Sequence, residues 1–272
     1  MRTKSTYQKS IKYSFFVCLA SVFLISWTGS PALHKDTLSK EFSQENLSFN
    51  SIDFGDIKSG KTTVLNPGKD FDVEGYGRMF CHHLGSDEGR FVYVQVKGDF
   101  DISVRLESIH NDAAALTEAG LMVRKSLDPT SLLMSMAVTN NEYQSEGWPY
   151  TFMYRLVPGG FAGLNNEPSR NLTHGEKTYG NSAFGCSDVE YFHGNMSTIP
   201  RPMPNVWVRL TKVGDRYTGY RKENNGEWVK LGDYTLNMGE DLYVGLFISG
   251  NHHGGNKDTR SVVKFRDVKI TQ

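Results

Sequence analysis

Three short motifs place an arginine two positions after a large apolar side chain: Met122-Val-Arg124, Met153-Tyr-Arg155 and Trp207-Val-Arg209. Residues two apart on a strand share a face, so each motif presents both side chains together. A guanidinium fork hydrogen-bonds carboxylates and hydroxyls in pairs, and an indole offers a flat apolar surface to a sugar ring. If the three strands lie in one sheet, Arg124, Arg155, Arg209 and Trp207 line its outer face and would hold an acidic or hydroxyl-rich saccharide. The competing reading is that the arginines pair with Asp or Glu across the sheet, as cross-strand ion pairs do. Trp148 and Tyr150 form a second candidate surface. They flank Pro149 between Gly147 and a strand, where an aromatic ring has little core to enter.

Other chemistries are less well supported. Glycosidic cleavage needs two carboxyls, about 5 to 5.5 Å apart for retention and about 6.5 to 9.5 Å for inversion. Asp188-Val-Glu190 and Asp99-Phe-Asp101 have alternate spacing, but the first lies in a Gly- and Asn-rich stretch and Asp99 belongs to a turn. Gly55-Asp-Ile-Lys-Ser-Gly-Lys61-Thr62 matches a phosphate-binding loop letter for letter. Such a loop must open a helix whose amides hold phosphate, and Thr62-Thr63-Val64 followed by Asn66-Pro67-Gly68 disfavours one. The doublets His82-His83 and His252-His253 are poor chelates on a strand, because adjacent residues point to opposite faces. No cofactor is expected. Structural calcium through oxygen ligands is compatible with a sandwich fold, although no residue pattern identifies its ligands. Cys81 and Cys186 are a disulfide candidate, worth about 4 to 5 kcal/mol by loop closure, with two separate buried thiols as the alternative.

The elements that must position these residues are strands. Phe91-Val-Tyr-Val-Gln-Val96, Phe100-Asp-Ile-Ser-Val-Arg-Leu106, Phe152-Met-Tyr-Arg-Leu156, Val206-Trp-Val-Arg-Leu210 and Tyr243-Val-Gly-Leu-Phe-Ile248 are short, aromatic and β-branched. In this pattern Leu121, Val123, Phe152, Tyr154, Leu156, Val206, Val208 and Leu210 form the inter-sheet face. Lys97-Gly98-Asp99, Val213-Gly214-Asp215 and Asn224-Asn225-Gly226 read as hairpin turns. Trp228, just past the last turn, is assigned to the core or the hairpin. A short helix is predicted over residues 112–119, capped by Asp112. Residues 157–205 are rich in Gly, Asn, Ser and Pro and read as a long loop-rich excursion, with Phe161, Tyr179 and Tyr191 as further aromatic candidates.

The N-terminus bears on compartment and charge. Arg2, Lys4, Lys9 and Lys12 precede an apolar run from Tyr13 to Trp27, and Ser30-Pro31-Ala32 supplies small residues for cleavage. The run is shorter than the ~20 residues of a membrane span. The expectation is therefore a signal peptide over residues 1–32, a linker over 33–48, a secreted domain over 49–272 and no membrane span after cleavage. Cleavage takes four basic residues from the 30, leaving 26 against 30 acidic. A mildly acidic chain without a basic cluster argues against nucleic acid as a partner.

Many short strands with Gly-rich turns point to an all-β sandwich of two antiparallel sheets. Lys97-Gly-Asp-Phe-Asp-Ile-Ser-Val104, Glu118-Ala-Gly-Leu-Met-Val-Arg124, Trp207-Val-Arg-Leu210, Gly226-Glu-Trp228, Tyr243-Val-Gly-Leu246 and Val263-Lys-Phe265 occur in an order that resembles the regulation-of-enolase-type family. The resemblance runs from Ile52 to Ile270. It implies a concanavalin A-like β-sandwich (jelly roll) and an exported bacterial chain acting near carbohydrate. That fold serves both lectins and glycosidases. The expected function is a non-catalytic carbohydrate-binding or surface-interaction module whose partner is a glycan or cell-surface polysaccharide. The alternative is a polysaccharide-acting hydrolase or lyase, and a purely structural envelope protein is a third reading.

Overall fold

The computed structural model describes residues 47–78, 85–113, 117–140, 150–159, 204–250 and 256–272. All belong to one compact unit, Glu41–Gln272. The expected signal segment, Trp148, Cys81, Cys186, both histidine doublets, Asp188, Glu190, Phe161, Tyr179 and Tyr191 lie outside the described residues.

The described residues form two antiparallel sheets. Strands are numbered in chain order. Across the six-stranded sheet they run β1 (Asn50–Phe54), β4 (Gly89–Lys97), β12 (Asp241–Ser249), β6 (Glu118–Arg124), β7 (Leu133–Thr139) and β8 (Tyr150–Arg155). Across the seven-stranded sheet they run β11 (Val229–Thr235), β10 (Arg216–Glu223), β9 (Val206–Val213), β5 (Phe100–Asn111), β13 (Ser261–Thr271), β3 (Asp70–Gly75) and β2 (Lys61–Asn66).

One face of each sheet builds the shared core. Leu121, Val123, Phe152, Tyr154 and Val244 from the first sheet meet Ile102, Val104, Val208, Leu210 and Phe265 from the second. The inter-sheet set expected from period-two alternation is the observed one, with Leu156 partly buried against it. Burying each such side chain contributes roughly 1.5 to 3 kcal/mol, so a register slip of one residue, which turns every side chain over, is strongly disfavoured.

The sheets differ on their other faces. β5 alternates buried with half-buried positions along most of its length, whereas β6, β7 and β8 are buried at every position. A second apolar cluster explains the difference: Phe54, Phe91, Met122, Leu133, Ala137, Met153 and Phe247 pack together on the outward face of the six-stranded sheet. Its strands therefore read as nearly continuous apolar runs, as strands covered on both sides do.

Two local expectations change. Asp112 and Ala113 form a turn and Glu118 and Ala119 open β6, so the described residues of the expected 112–119 helix are not helical. Lys97-Gly98-Asp99 joins β4 of one sheet to β5 of the other, making it an arch rather than a hairpin. Gly98 still takes the positive φ (81°) that suits glycine there. The other two turns are hairpins, β9–β10 and β10–β11, with Gly214 and Asn224 at positive φ. The phosphate-loop look-alike leads into strand β2. Arg90 ties this corner together, donating to Asp53, Ser51 and the Thr62 hydroxyl, while the Gly60 amide donates to Asp53.

Candidate functional site

β9 and β10 of the seven-stranded sheet pair so that Trp207 stands opposite Lys222 and Arg209 opposite Tyr220. All four point away from the core, because Val206, Val208 and Leu210 on β9 and Tyr217 on β10 point into it. The β10–β11 hairpin brings Trp228 against this surface, its indole edge-on to that of Trp207 at 84° with centroids 6.5 Å apart. Trp207, Arg209, Tyr220, Lys222 and Trp228 are all half-buried, so each keeps part of its surface exposed.

Cations lie over these rings. The Lys222 ammonium is 4.6 Å from the centroid of Trp207 and 4.8 Å from that of Trp228. The Arg209 guanidinium lies 5.2 Å from Tyr220 and 5.8 Å from Trp228. Arg209 also donates through Nε and Nη2 to the two carboxylate oxygens of Asp101 on β5, at 2.8 and 2.5 Å. That hydrogen-bonded carboxylate raises the guanidinium above its ordinary pKa, so it stays charged at any physiological pH. Strand backbones set the spacing of Trp207, Arg209, Tyr220 and Lys222, and Trp228 comes from the segment just before β11.

The outward face of the six-stranded sheet has a different chemistry. Arg124 on β6 and Arg155 on β8 have fully buried side chains and share Asp87, whose side chain is also fully buried. Arg155 donates to Asp87 through Nη1 at 3.0 Å and Nη2 at 2.5 Å, and the Arg124 Nη1 donates to the same carboxylate. Remaining donors go to the carbonyls of Ser126, Asp128, Pro129 and Ser131. Burial lowers the Arg124 pKa and the Asp87 carboxylate opposes that fall. The triad pins residues 85–88 and 125–131 onto the sheet.

At the other end of β6, Glu118 stands in register with Ser249 on β12 and Thr139 on β7. Its Oε1 accepts from the Thr151 hydroxyl at 2.8 Å. Among the described residues, Glu118 Oε2 and the hydroxyls of Ser135 and Ser249 are buried without a hydrogen-bond partner. Burial pushes the Glu118 carboxyl up to about 7, against the lowering hydrogen bond from Thr151. Near neutral pH it is therefore substantially a protonated acid, able to donate rather than only accept.

The sequence candidates are thus divided between locations. β6 and β8 belong to one sheet and β9 to the other, so Arg124 and Arg155 do not share a face with Arg209 and Trp207. Arg124 and Arg155 are buried in an ion triad, and their aspartate comes from a loop rather than from a neighbouring strand. Tyr150 is also in the inter-sheet core, with the Arg221 guanidinium 5.0 Å from its ring centroid, rather than at the surface. Trp207 and Arg209 do come together, joined by Tyr220, Lys222 and Trp228. The signal for Tyr220 and Lys222 was the same period-two spacing, hidden because β10 (Arg-Tyr-Thr-Gly-Tyr-Arg-Lys-Glu) has too many polar residues to stand out. Glu118 opens a motif quoted for its family likeness, and only its burial marks it.

Among the described residues no three His, Cys, Asp or Glu side chains converge as a metal site, and no helix is long and apolar enough to cross a membrane.

No protein-family model and no curated protein matches this chain. Solved structures similar to it include a functionally unknown protein from Saccharomyces cerevisiae, 16% identical with a TM-score of 0.48, covering 82% of this chain and 95% of that one. A lectin from Bauhinia forficata in complex with GalNAc is 9% identical with a TM-score of 0.39, covering 83% and 99%. A mutant glycoside hydrolase family 43 protein from Bacillus licheniformis is 10% identical with a TM-score of 0.44, covering 75% of this chain but 33% of that one. The six- and seven-stranded antiparallel sheets form the expected all-β sandwich. At such identities, what those proteins bind or cleave says nothing about this chain.

Proposed function

We propose that this chain is an exported, non-catalytic carbohydrate-binding module whose ligand lies on the outward face of the seven-stranded sheet. The observation that carries the reading is the pair of half-buried indoles, Trp207 on β9 and Trp228 in the β10–β11 connection, framed by Tyr220, Arg209 and Lys222. Such a surface offers apolar rings to the faces of a sugar and donors to its hydroxyls. Sites built on strands hold their geometry without an ordering cost at binding. The sequence resemblance to the regulation-of-enolase-type family, with its exported domains near carbohydrate, supports the same reading.

The test is a glycan array followed by titration calorimetry with the full chain and a Trp207→Ala/Trp228→Ala variant. Binding to at least one polysaccharide is expected, weakened tenfold or more in the variant while its urea midpoint stays close to wild type. Absence of binding across neutral and acidic glycans would overturn the reading.

Glu118 favours a second reading, a polysaccharide hydrolase or lyase, because a buried carboxylic acid near neutrality is the form a general acid takes. A glycosidase needs a second carboxyl within about 9.5 Å. Among the described residues the other buried carboxylate on this face, Asp87, is bound to Arg124, whose backbone is six residues from Glu118 along β6, about 20 Å at strand rise. Asp87 is therefore not its partner, and the binding reading leads. Release of reducing ends or unsaturated uronate, abolished by Glu118→Gln, would reverse that order.

A further inference from the structure

On the outward face of the seven-stranded sheet, several basic residues are matched to acids. Arg209 meets Asp101, Arg105 meets Asp267, Arg266 meets Asp72 and Glu107, and Arg216 and Lys230 share Asp233. Lys222 differs: among the described residues its ammonium meets two indole faces and no carboxylate. The Asp101 carboxylate is engaged at both oxygens by Arg209.

Ring faces attract the ammonium through their quadrupoles, worth about 0.5 to 1 kcal/mol at an exposed site. They accept no conventional hydrogen bond, so the three N–H donors of Lys222 are left for a ligand. A sugar ring seated on Trp207 and Trp228 brings its substituents within reach of that cation. Carboxylate and sulfate groups gain a charge-assisted hydrogen bond there, whereas a hydroxyl gains only a neutral one.

We propose that Lys222 makes the aromatic patch selective for anionic saccharides, a class that includes uronates and sulfated sugars. The inference rests on the carbohydrate-binding reading above and adds its substrate class. The two indoles supply affinity for any sugar face, and Lys222 supplies discrimination by charge. Arg209, neutralised by Asp101, positions Tyr220 and Trp228 and contributes little to that discrimination.

The experiment measures binding of the full chain to polygalacturonate, to its fully methyl-esterified form and to dextran sulfate, at low and high salt. The expected result is at least tenfold tighter binding to polygalacturonate than to the ester, shrinking as salt rises. Lys222→Met should bring acid and ester to equal affinity with an unchanged urea midpoint, since the methionine keeps the apolar stem against both rings. Preference for dextran sulfate over both pectic forms, erased by Lys222→Met, would also support the proposal and assign the anion as sulfate. Equal wild-type binding to acid and ester with no preference for dextran sulfate, or an anion preference that survives in Lys222→Met, would overturn the role of Lys222 and leave carbohydrate binding standing. Binding to none of the three polymers would overturn the anionic class, and a positive neutral-glycan array would then preserve the parent reading.

Discussion

Arg124 and Arg209 both follow an apolar residue by two positions on a strand, and both are salt-bridged to an aspartate. Arg124 and its Asp87 partner are fully buried, whereas Arg209 keeps 30% of its side chain and Asp101 keeps 36% exposed. Two motifs of the same pattern therefore carry opposite energetic consequences. On the six-stranded sheet the ions have lost their water and depend on one another; on the seven-stranded sheet water can replace either partner. The buried face supports the fold, and the half-exposed face has chemistry left over for a ligand.

The largest effect should come from Asp87→Ala, which strands two guanidiniums in the interior. Leaving such charges uncompensated costs about 3 to 5 kcal/mol, read as a fall in the urea midpoint with loss of cooperativity at physiological temperature. A shift below 1 kcal/mol would erase the distinction between the two faces.

Next is a pH effect at Glu118. Its carboxyl keeps a proton up to about 7 in the folded chain, against an ordinary value of 4.5. Between those values the folded chain holds a proton that the unfolded chain has released, so stability falls as pH rises from 4.5 to 7 and levels off above. The total is about 3 kcal/mol. Glu118→Gln, which retains an acceptor for Thr151, should flatten that slope and be the more stable protein at pH 8. An unchanged slope in urea denaturation between pH 4.5 and 7 would show that Glu118 is not the titrating group.

The smallest effect should come from Asp101→Ala. A partly exposed pair contributes on the order of 0 to 1 kcal/mol, and the Arg209 guanidinium can turn to water. A loss near that of Asp87→Ala would mean that the seven-stranded face is covered as the other is, and would remove the surface on which binding is proposed.

Much of the sandwich was legible in one dimension because its rule is local. Alternation along Val206-Trp-Val-Arg-Leu210 separates two sets of side chains, and the aliphatic set, Val206, Val208 and Leu210, faces the other sheet. β7, Leu-Met-Ser-Met-Ala-Val-Thr, showed no such alternation, since both its faces are covered. β10 was obscured for the opposite reason, with polar and aromatic residues on one side and Gly219 facing Phe152 on the other.

The sequence by itself determined which residues of β9 turn inward and that Trp207 and Arg209 share a face. Tertiary structure decided which sheet each strand joins, and so that Arg209 lies apart from Arg124 and Arg155. The reason is the connection: Lys97-Gly-Asp has hairpin chemistry, but whether a turn closes a ladder or arches between sheets depends on which distant strand offers a hydrogen-bonding edge. Tertiary structure also decided solvation. A strand's second face is coded identically whether water or another layer meets it, so only the assembled fold could bury Arg124, neutralise Glu118 and leave Trp207, Trp228 and Lys222 within reach of a ligand.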